Sequence, residues 1–150
     1  MTKSSFKDTI TKIQAPSKKQ TPRHNNQKSM ENKHKFDLEE RATEFGRRVV
    51  RLCISLPKNS INNQLTGQVV GSAGSVGANY REANDSLGKK DLIMRMKISR
   101  KEAKETIHWL DLIEEANLGI KDQMQDLKQE AVEIKNILST IINKIEKPQQ

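Results

Sequence analysis

The sequence predicts an all-α protein: an antiparallel, up-down four-helix bundle that follows a disordered basic N-terminal tail. Two observations support this fold class. Apolar residues recur at steps of three and four along four separate segments, the spacing of one face of an α-helix, and no segment alternates as a strand does. Aromatic residues make up only 3% of the 150 residues. The core must therefore be built from Leu, Ile, Val, Met and Ala, which favours helices over a sheet.

Composition divides the chain into three parts. The N-terminal part is rich in Lys, Gln, Asn, Ser and Thr and contains Pro16 and Pro22. Such a segment cannot bury enough apolar surface to offset the entropy of ordering. We therefore expect a disordered basic tail over residues 1–35, a four-helix bundle over 36–146 and a disordered C-terminus over 147–150.

The first helix is predicted to begin at Asp37, which is a favourable N-cap residue. Glu40 stands at the third helical position, as in a capping box. Pro57 should end the helix, because proline lacks the amide hydrogen that a helix interior needs. The apolar stripe of this helix consists of Leu38, Ala42, Phe45, Val49, Leu52 and Leu56.

The second helix is predicted to begin near Ser60 or Asn62 and to break at Leu87-Gly88. Its apolar stripe consists of Leu65, Val69, Ala73, Val76 and Tyr80. Four glycines lie inside it, and each costs about 1 kcal/mol relative to Ala in a helix. Packing against neighbouring helices must therefore stabilise the segment that holds Gly67, Gly71, Gly74 and Gly77.

The third helix is predicted from Lys89–Asp91 to Asn117 and the fourth from Asp122 to Ile145, with a turn at Asn117-Leu118-Gly119 between them. The core positions of the third helix are Leu92, Met96, Ser99, Ala103, Leu110 and Ile113, and those of the fourth are Met124, Leu127, Ala131, Ile134, Leu138, Ile141 and Ile145. More apolar positions remain on these two helices than one bundle core needs. They predict a face that is buried against other subunits.

The net charge of +8 is concentrated at the N-terminus. Residues 1–35 hold nine Lys and Arg against Asp8 and Glu31, a balance of +7, whereas the remainder holds 18 against 17, a balance of +1. A flexible Lys-rich arm attracts nucleic acid by releasing counterions from phosphate. A solvated extension without a partner is an equally good interpretation. The candidate nucleic-acid-binding residues are Lys18, Lys19, Arg23 and Lys28 in the tail and Arg47, Arg48, Arg51, Lys89, Lys90, Arg95 and Lys97 in the bundle.

Cysteine and hydropathy predict a cytoplasmic location without membrane contact. The one cysteine, Cys53, excludes an internal disulfide and is typical of a reducing compartment. No apolar run approaches the roughly 20 residues that cross a bilayer, and Met1–Ile10 lacks the apolar stretch of a signal peptide. Because Cys53 adjoins the first apolar stripe, we expect it to be buried and unreactive.

Two helical motifs resemble a known family. Ser75–Ala83 (SVGANYREA) is similar to the second-helix signature of bacterial four-helix bundle proteins encoded by intervening sequences in 23S rRNA genes. Lys101–Thr106 and Trp109–Leu112 resemble the third-helix signature of these proteins, and Gln68–Val70 with Ser72 extends the match. The motifs are fairly specific together, because their order and spacing both agree.

The resemblance spans roughly residues 36–145 and implies a homopentamer with no firm activity. A similar fold belongs to the accessory variability protein of diversity-generating retroelements, a basic pentameric barrel that works with a reverse transcriptase and nucleic acid. The chain departs from the family pattern at Gly71, where relatives often carry an Arg. If that Arg grips phosphate in the relatives, the grip is lost here or has moved to the tail.

The motifs that would indicate an enzyme are incomplete. The glycine-rich segment 71–77 lacks a following Gly-Lys-Ser/Thr and a preceding strand, so close helix packing explains it better than a phosphate-binding loop. The Glu-x-x-His spacing of a di-iron bundle occurs once, at Glu105 and His108, without a second copy. His24 and His34 lie in the tail, so no catalytic triad is supported. We predict no catalytic residue, no metal and no cofactor.

The remaining polar and aromatic signature residues predict an interface or a structural polar network. Glu82 and Glu102 would pair with Arg81, Arg100 or Asn79, within the bundle or between subunits. Trp109 shares a helical row with Ile98 and Leu112, and a lone helical Trp more often anchors a protein interface than stacks on a base. This set comprises Asn79, Arg81, Glu82, Arg100, Glu102, Glu105, Trp109 and Leu112.

Two functions follow from the sequence. The first is a non-enzymatic homo-oligomer, expected to be a pentamer, that binds RNA or DNA through the basic tail and the bundle-face Arg and Lys residues. The alternative is a protein-interaction scaffold that docks a partner, such as a reverse transcriptase, through the Trp109 face.

Overall fold

The computed structural model describes residues 37–147, and it confirms the predicted all-α four-helix bundle. The helices are α1 (Leu38–Ser55), α2 (Ser60–Asn84), α3 (Lys89–Ala116) and α4 (Lys121–Glu146), and no strand occurs among the described residues. The predicted disordered tail over residues 1–35 lies outside the described residues, as do residues 148–150 of the predicted C-terminal segment, whereas Lys147 is the C-cap residue of α4.

Helices that are consecutive in the chain pack against each other, and α4 returns to contact α1. This up-down-up-down order makes all four neighbouring pairs antiparallel, as short loops require. The α2–α3 pair is the most extensive contact and the α1–α4 pair is the least extensive. The bundle is therefore least tightly closed along the α1–α4 seam.

Side-chain caps fix the starts of the first two helices. The Asp37 carboxylate accepts a hydrogen bond from the Glu39 amide at 2.9 Å, as predicted for an N-cap. The Asn59 side chain accepts one from the Asn62 amide at 2.8 Å, a cap that the sequence analysis did not identify. Glu40 departs from the predicted capping box, because its carboxylate accepts a hydrogen bond from the Arg47 guanidinium, about two turns further along α1.

The core follows the predicted stripes closely. Phe45 and Tyr80 are the largest aromatic side chains in it, each at most 2% exposed. Leu65 is only half-buried, although it lies on the predicted stripe of α2, whereas Ile142 is buried although it lies off the predicted row of α4. The apolar surplus on α4 is thus partly used inside the chain.

A polar seam joins α2 to α3 within the core. The buried Ser72 and Thr106 hydroxyls lie 2.9 Å apart, and Ser99 donates to the Val76 carbonyl at 2.7 Å. Small hydroxyl side chains satisfy one another here and allow the two helices to pack closely. The seam explains the small residues on the α3-facing side of α2.

The glycines of α2 differ in what surrounds them. A Cβ at Gly77 would lie 3.7 Å from Ala42, so this glycine does face a neighbouring helix. At Gly67, Gly71 and Gly74 no neighbouring atom lies within 4 Å of the position that a Cβ would take. The expectation that the glycines serve helix packing therefore holds only for Gly77 within a single chain.

Candidate nucleic-acid interface

Ion pairs neutralise four of the seven predicted bundle-face cations. Each of these four guanidinium or ammonium groups lies against a carboxylate of the same chain, which weakens its field toward an external phosphate. The hydrogen bond from Arg51 lowers the pKa of Glu44, so that this carboxylate stays charged. The four pairs are Arg47 with Glu40, Arg51 with Glu44, Arg95 with Asp91 and Lys97 with Glu146.

The other three predicted cations have no ion-pair partner between residues 37 and 147. Lys89 and Lys90 are exposed at the start of α3, and Arg48 is half-buried on the side of α1 that meets α4. The four tail residues of the predicted set, Lys18, Lys19, Arg23 and Lys28, lie outside the described part of the chain.

Arg48 and Arg51 line an open cleft of about 360 Å³ between the end of α1 and the start of α4. Sequence reasoning selected the two arginines as part of a basic patch. It missed the polar residues that face them, because those residues come from a helix about 70 positions away and carry no local motif. The full lining is Arg48, Arg51, Leu52, Ser55, Gln123, Asp126 and Leu127.

Arg41 joins α1 to α4 near the start of α1, and sequence reasoning missed it as well. Its Nε and Nη2 atoms donate to the two carboxylate oxygens of Glu130 at 2.6 and 2.9 Å, and Nη2 also donates to Glu133 at 2.5 Å. These hydrogen bonds raise the pKa of the guanidinium above its ordinary value, and the bond that it donates to Glu130 has the largest effect. A bidentate fork of this kind fixes the register of the two helices.

The hydrogen-bond and ion-pair partners of Arg81 within the chain differ from the predicted ones. Arg81 donates to the Thr43 hydroxyl at 2.9 Å and lies 3.3 Å from the Glu39 carboxylate, so it ties α2 to α1. It does not pair with Glu82, as the sequence analysis had allowed, because successive residues on a helix point about 100° apart. Asn79 donates to the Ser75 carbonyl of its own helix at 2.9 Å.

The acidic residues of the α3 signature lie beside a lysine of the same helix. Lys101 is 3.2 Å from Glu105 and 3.9 Å from Glu102. Glu82 and Arg100 have no ion-pair partner among residues 37–147. The contacts that these polar residues make within one chain therefore lie within a single helix or join α2 to α1. The predicted pairs of Glu82 and Glu102 with Arg81, Arg100 or Asn79 do not form between residues 37 and 147.

Trp109 lies at the edge of the core rather than on an open face. Its indole is half-buried and packs against the core, and its ring centroid is 5.0 Å from that of His108. Leu112 on the same row is 39% exposed, and Ile98 is half-buried. The row therefore offers a partner an apolar surface whose most accessible side chain is Leu112.

Three further observations concern metal binding, membrane-spanning helices and the reactivity of Cys53. Between residues 37 and 147, no group of three or more His, Cys, Asp and Glu side chains is arranged to hold a metal ion. No helix within this range has the length and apolar character to cross a membrane. Cys53 is half-buried rather than buried as predicted, and this desolvation raises the pKa of its thiol to about 11.

Comparison with known proteins agrees with the bundle and its motifs. Residues 34–140 match the family described as 23S rRNA-intervening sequence protein. Among solved structures, the fold is similar to a protein with unknown function from the S23 ribosomal protein family of Bacteroides thetaiotaomicron VPI-5482, with a TM-score of 0.63, 31% identity and coverage of 71% of this chain and 95% of the other. No curated protein shows a significant sequence match. Because the family match spans more than half of the sequence, the chain belongs to the 23S rRNA-intervening sequence protein family.

Proposed function

We propose that this chain is a non-enzymatic nucleic-acid-binding protein that assembles as a homopentamer. RNA or DNA is held by the cations of residues 1–35, with the bundle cations Arg48, Lys89 and Lys90 in support. The observation that carries the proposal is the separation of charge, +7 in residues 1–35 against +1 in the remainder.

The ion pairs of the bundle explain why the N-terminal tail should contribute most of the nucleic-acid binding. Cations that already lie against carboxylates of their own chain gain little from a phosphate, because the existing pair must be weakened first. Residues 1–35 contain nine Lys and Arg residues and only two acidic residues. Five such segments on one ring would gather about 35 net positive charges, five times the balance of one, and the shared ring would raise their effective concentration around a nucleic acid.

The outward face of α2 supports self-association. Gly67, Gly71 and Gly74 each cost about 1 kcal/mol relative to Ala in a helix, and no neighbouring atom of the chain makes use of the missing side chains. A helix of a second copy that packed on this face could approach the backbone closely and offset that cost. The pentameric state is tested by the mass of the full chain in light scattering, and a monomer at all concentrations would contradict it.

Salt dependence tests nucleic-acid binding. The logarithm of the binding constant for a single strand should fall with the logarithm of salt concentration, with a slope of about −0.7 per phosphate neutralised. Deletion of residues 1–33 removes eight of the nine tail cations and leaves Lys35. We expect this deletion to flatten the slope strongly, whereas Arg47→Gln, which removes a cation already paired with Glu40 and Glu44, should change it little. Binding that ignores salt, or that survives the deletion unchanged, would contradict the proposal.

A second candidate function is a scaffold that docks a polymerase, such as a reverse transcriptase, through the row of Ile98, Trp109 and Leu112. The exposed Leu112 side chain beside the half-buried Trp109 favours it. Because Trp109 also packs on the core, Leu112→Glu is a cleaner test than Trp109→Ala. Leu112→Glu should abolish capture of a co-expressed reverse transcriptase, while Leu118→Glu, at a 94% exposed position outside the row, should not. Equal capture by both variants would exclude this face.

A further inference from the structure

We propose that the cleft between α1 and α4 binds one nucleotide unit of single-stranded RNA, with Arg48 on the phosphate and Asp126 on the ribose 2′-hydroxyl. The inference rests on the proposed nucleic-acid-binding function and adds to it a location and a preference for RNA over DNA.

The size and position of the cleft suit one unit of a strand. It opens where α1 ends and α4 begins, along the least extensive of the four neighbouring helix pairs. Its volume of about 360 Å³ is near the lower end of the roughly 300–1,000 Å³ typical of ligand sites. Leu52 and Leu127, 6% and 4% exposed, form the apolar floor of the cleft, so its accessible walls are the polar residues around them. Entry of a whole nucleotide unit, base included, requires an unpaired strand, because paired bases are held inside the duplex, and the proposed ligand is therefore single-stranded.

Arg48 is the phosphate-binding group of the cleft. Its half-buried guanidinium has no hydrogen-bond acceptor among residues 37–147, while the neighbouring Arg51 is engaged by Glu44. A guanidinium carries five N–H donors in a planar fork, and none of those of Arg48 is committed to an acceptor in the described part of the chain. The oxygens of a phosphodiester match that fork in charge and geometry. An anion bound at this point would meet a guanidinium that need not first give up a partner within the described part of the chain.

Asp126 makes the cleft more selective than a simple anion site. Its carboxylate forms no ion pair and accepts no hydrogen bond within the described part of the chain, although two arginines line the same cleft. An ionised carboxylate only accepts hydrogen bonds, and it repels phosphate. Asp126 is exposed to solvent, so the cleft favours a ligand that presents a donor close to its phosphate over one that presents none. The ribose 2′-hydroxyl is such a donor, and it is present in RNA and absent from DNA.

Gln123 and Ser55 complete the polar lining from opposite sides of the cleft. The Ser55 hydroxyl donates to the Leu52 carbonyl at 2.7 Å and can only accept from a ligand, whereas the Gln123 amide both donates and accepts and can meet any base edge without selecting one. The start of α4 also brings the positive end of its helix dipole near Gln123, and this partial charge favours the phosphate beside the carboxylate of Asp126. The site should thus read the sugar and the backbone rather than the base sequence.

The test uses the full chain and fluorescence anisotropy with labelled single-stranded RNA and DNA of the same base sequence. We expect wild-type protein to bind RNA about tenfold more tightly, the effect of one hydrogen bond to a charged group. Asp126→Ala should remove that preference by weakening RNA binding while DNA binding stays equal or improves. Asp122→Ala, at an exposed position on the same helix outside the cleft, should retain the preference.

Arg48 is tested by the same assay. Arg48→Gln should weaken binding of both strands about tenfold, whereas the adjacent Arg47→Gln should have little effect. Circular dichroism checks that each variant keeps its helices.

Equal affinity of wild-type protein for RNA and DNA would overturn the inference and leave the proposed function standing. So would an increase in affinity for both strands in Asp126→Ala, because the carboxylate would then act by repulsion alone. Displacement of the RNA by an equal concentration of free AMP would indicate a mononucleotide site instead of a strand site, and would also overturn it. If wild-type protein bound neither strand, the proposed function itself would fall.

Discussion

The buried side-chain amides of Asn62 and Asn117 exchange two hydrogen bonds, each 2.8 Å long, between the start of α2 and the end of α3. Asn62 also donates to the Pro57 carbonyl and Asn117 to the Ile113 carbonyl, both at 2.8 Å. All four N–H bonds of the two amides are thus used. The pair satisfies itself in the interior and connects the α1–α2 loop to the end of α3.

Replacement of one partner should destabilise the bundle. Asn117→Leu leaves the buried amide of Asn62 without its acceptor and its donor, so we expect the free energy of unfolding to fall by about 2–4 kcal/mol in urea titrations. The matched control is Asn63→Leu, at an exposed position beside the pair. A loss no larger than that of the control would show that water replaces the missing amide.

The double variant Asn62→Leu/Asn117→Leu should be less destabilised than the sum of the two single variants. Removing both polar groups leaves no orphaned amide between the helices, so part of the penalty disappears. The same urea titrations measure the coupling. Strictly additive losses would mean that the two amides act independently.

The exposed glycine Gly71 should respond to substitution in opposite ways in the single chain and in the assembly. Gly71→Ala adds a Cβ where no neighbouring atom lies within 4 Å, and it should raise the stability of the chain by about 0.5–1 kcal/mol. The added methyl group should also hinder close approach of a second copy. Thermal melting and light scattering measure the two effects. Unchanged assembly in Gly71→Ala would place the subunit interface elsewhere.

Cys53 should react slowly with thiol reagents while the protein is folded. Burial raises the pKa of its thiol to about 11, against an ordinary value of 9.0. The reactive thiolate is therefore about 100-fold scarcer near pH 8 than in an ordinary thiol, because each pH unit changes its fraction about tenfold. The labelling rate should keep rising up to about pH 11. The urea-unfolded chain is the control, and equal rates in both states would contradict the burial argument.

The contribution of Arg41 to stability should decrease in acid. Hydrogen bonds from Arg41, and secondarily from Gln129, lower the pKa of Glu133. A carboxyl group with a lowered folded pKa stabilises the protein above its unfolded pKa of about 4.3, and this effect is lost as the pH falls through the folded value. The stability difference between wild type and Arg41→Gln, measured by urea titration, should therefore be constant near neutral pH and shrink below about pH 4.

Arg100→Gln serves as the control for this series, since Arg100 has no carboxylate partner within residues 37–147. Its effect on stability should not change over the same pH range. The difference in free energy of unfolding between wild type and Arg41→Gln could instead stay constant down to the acid transition. That result would show that Arg41 does not lower the pKa of Glu133.

Local signals predicted the helices well, and cross-helix partners poorly. Asp37 was recognisable as an N-cap because its hydrogen bond reaches only two residues ahead. The fork from Arg41 to Glu130 spans 89 residues and depends on how two helices are shifted and rotated against each other. Local sequence does not show how neighbouring helices are placed. For this reason Arg81 was predicted as a candidate partner of Glu82, whereas its partners are Glu39 and Thr43 on another helix.

The candidate site shows the same division. The charge separation between residues 1–35 and the bundle is a property of composition, so the sequence alone was enough to predict it. The ion pairs that neutralise Arg47 and Lys97, and the placement of Asp126 across a cleft from Arg48, appear only when the helices are packed.

By itself, the sequence determined the four helices, most of their buried faces and the location of the excess charge, because helical periodicity and composition depend on neighbours a few residues away. Only the tertiary structure decided which glycines face another helix, which cations are neutralised and where a cleft opens. Those features depend on helix register and rotation, which the packing of the whole core sets at once and no local stretch of residues encodes.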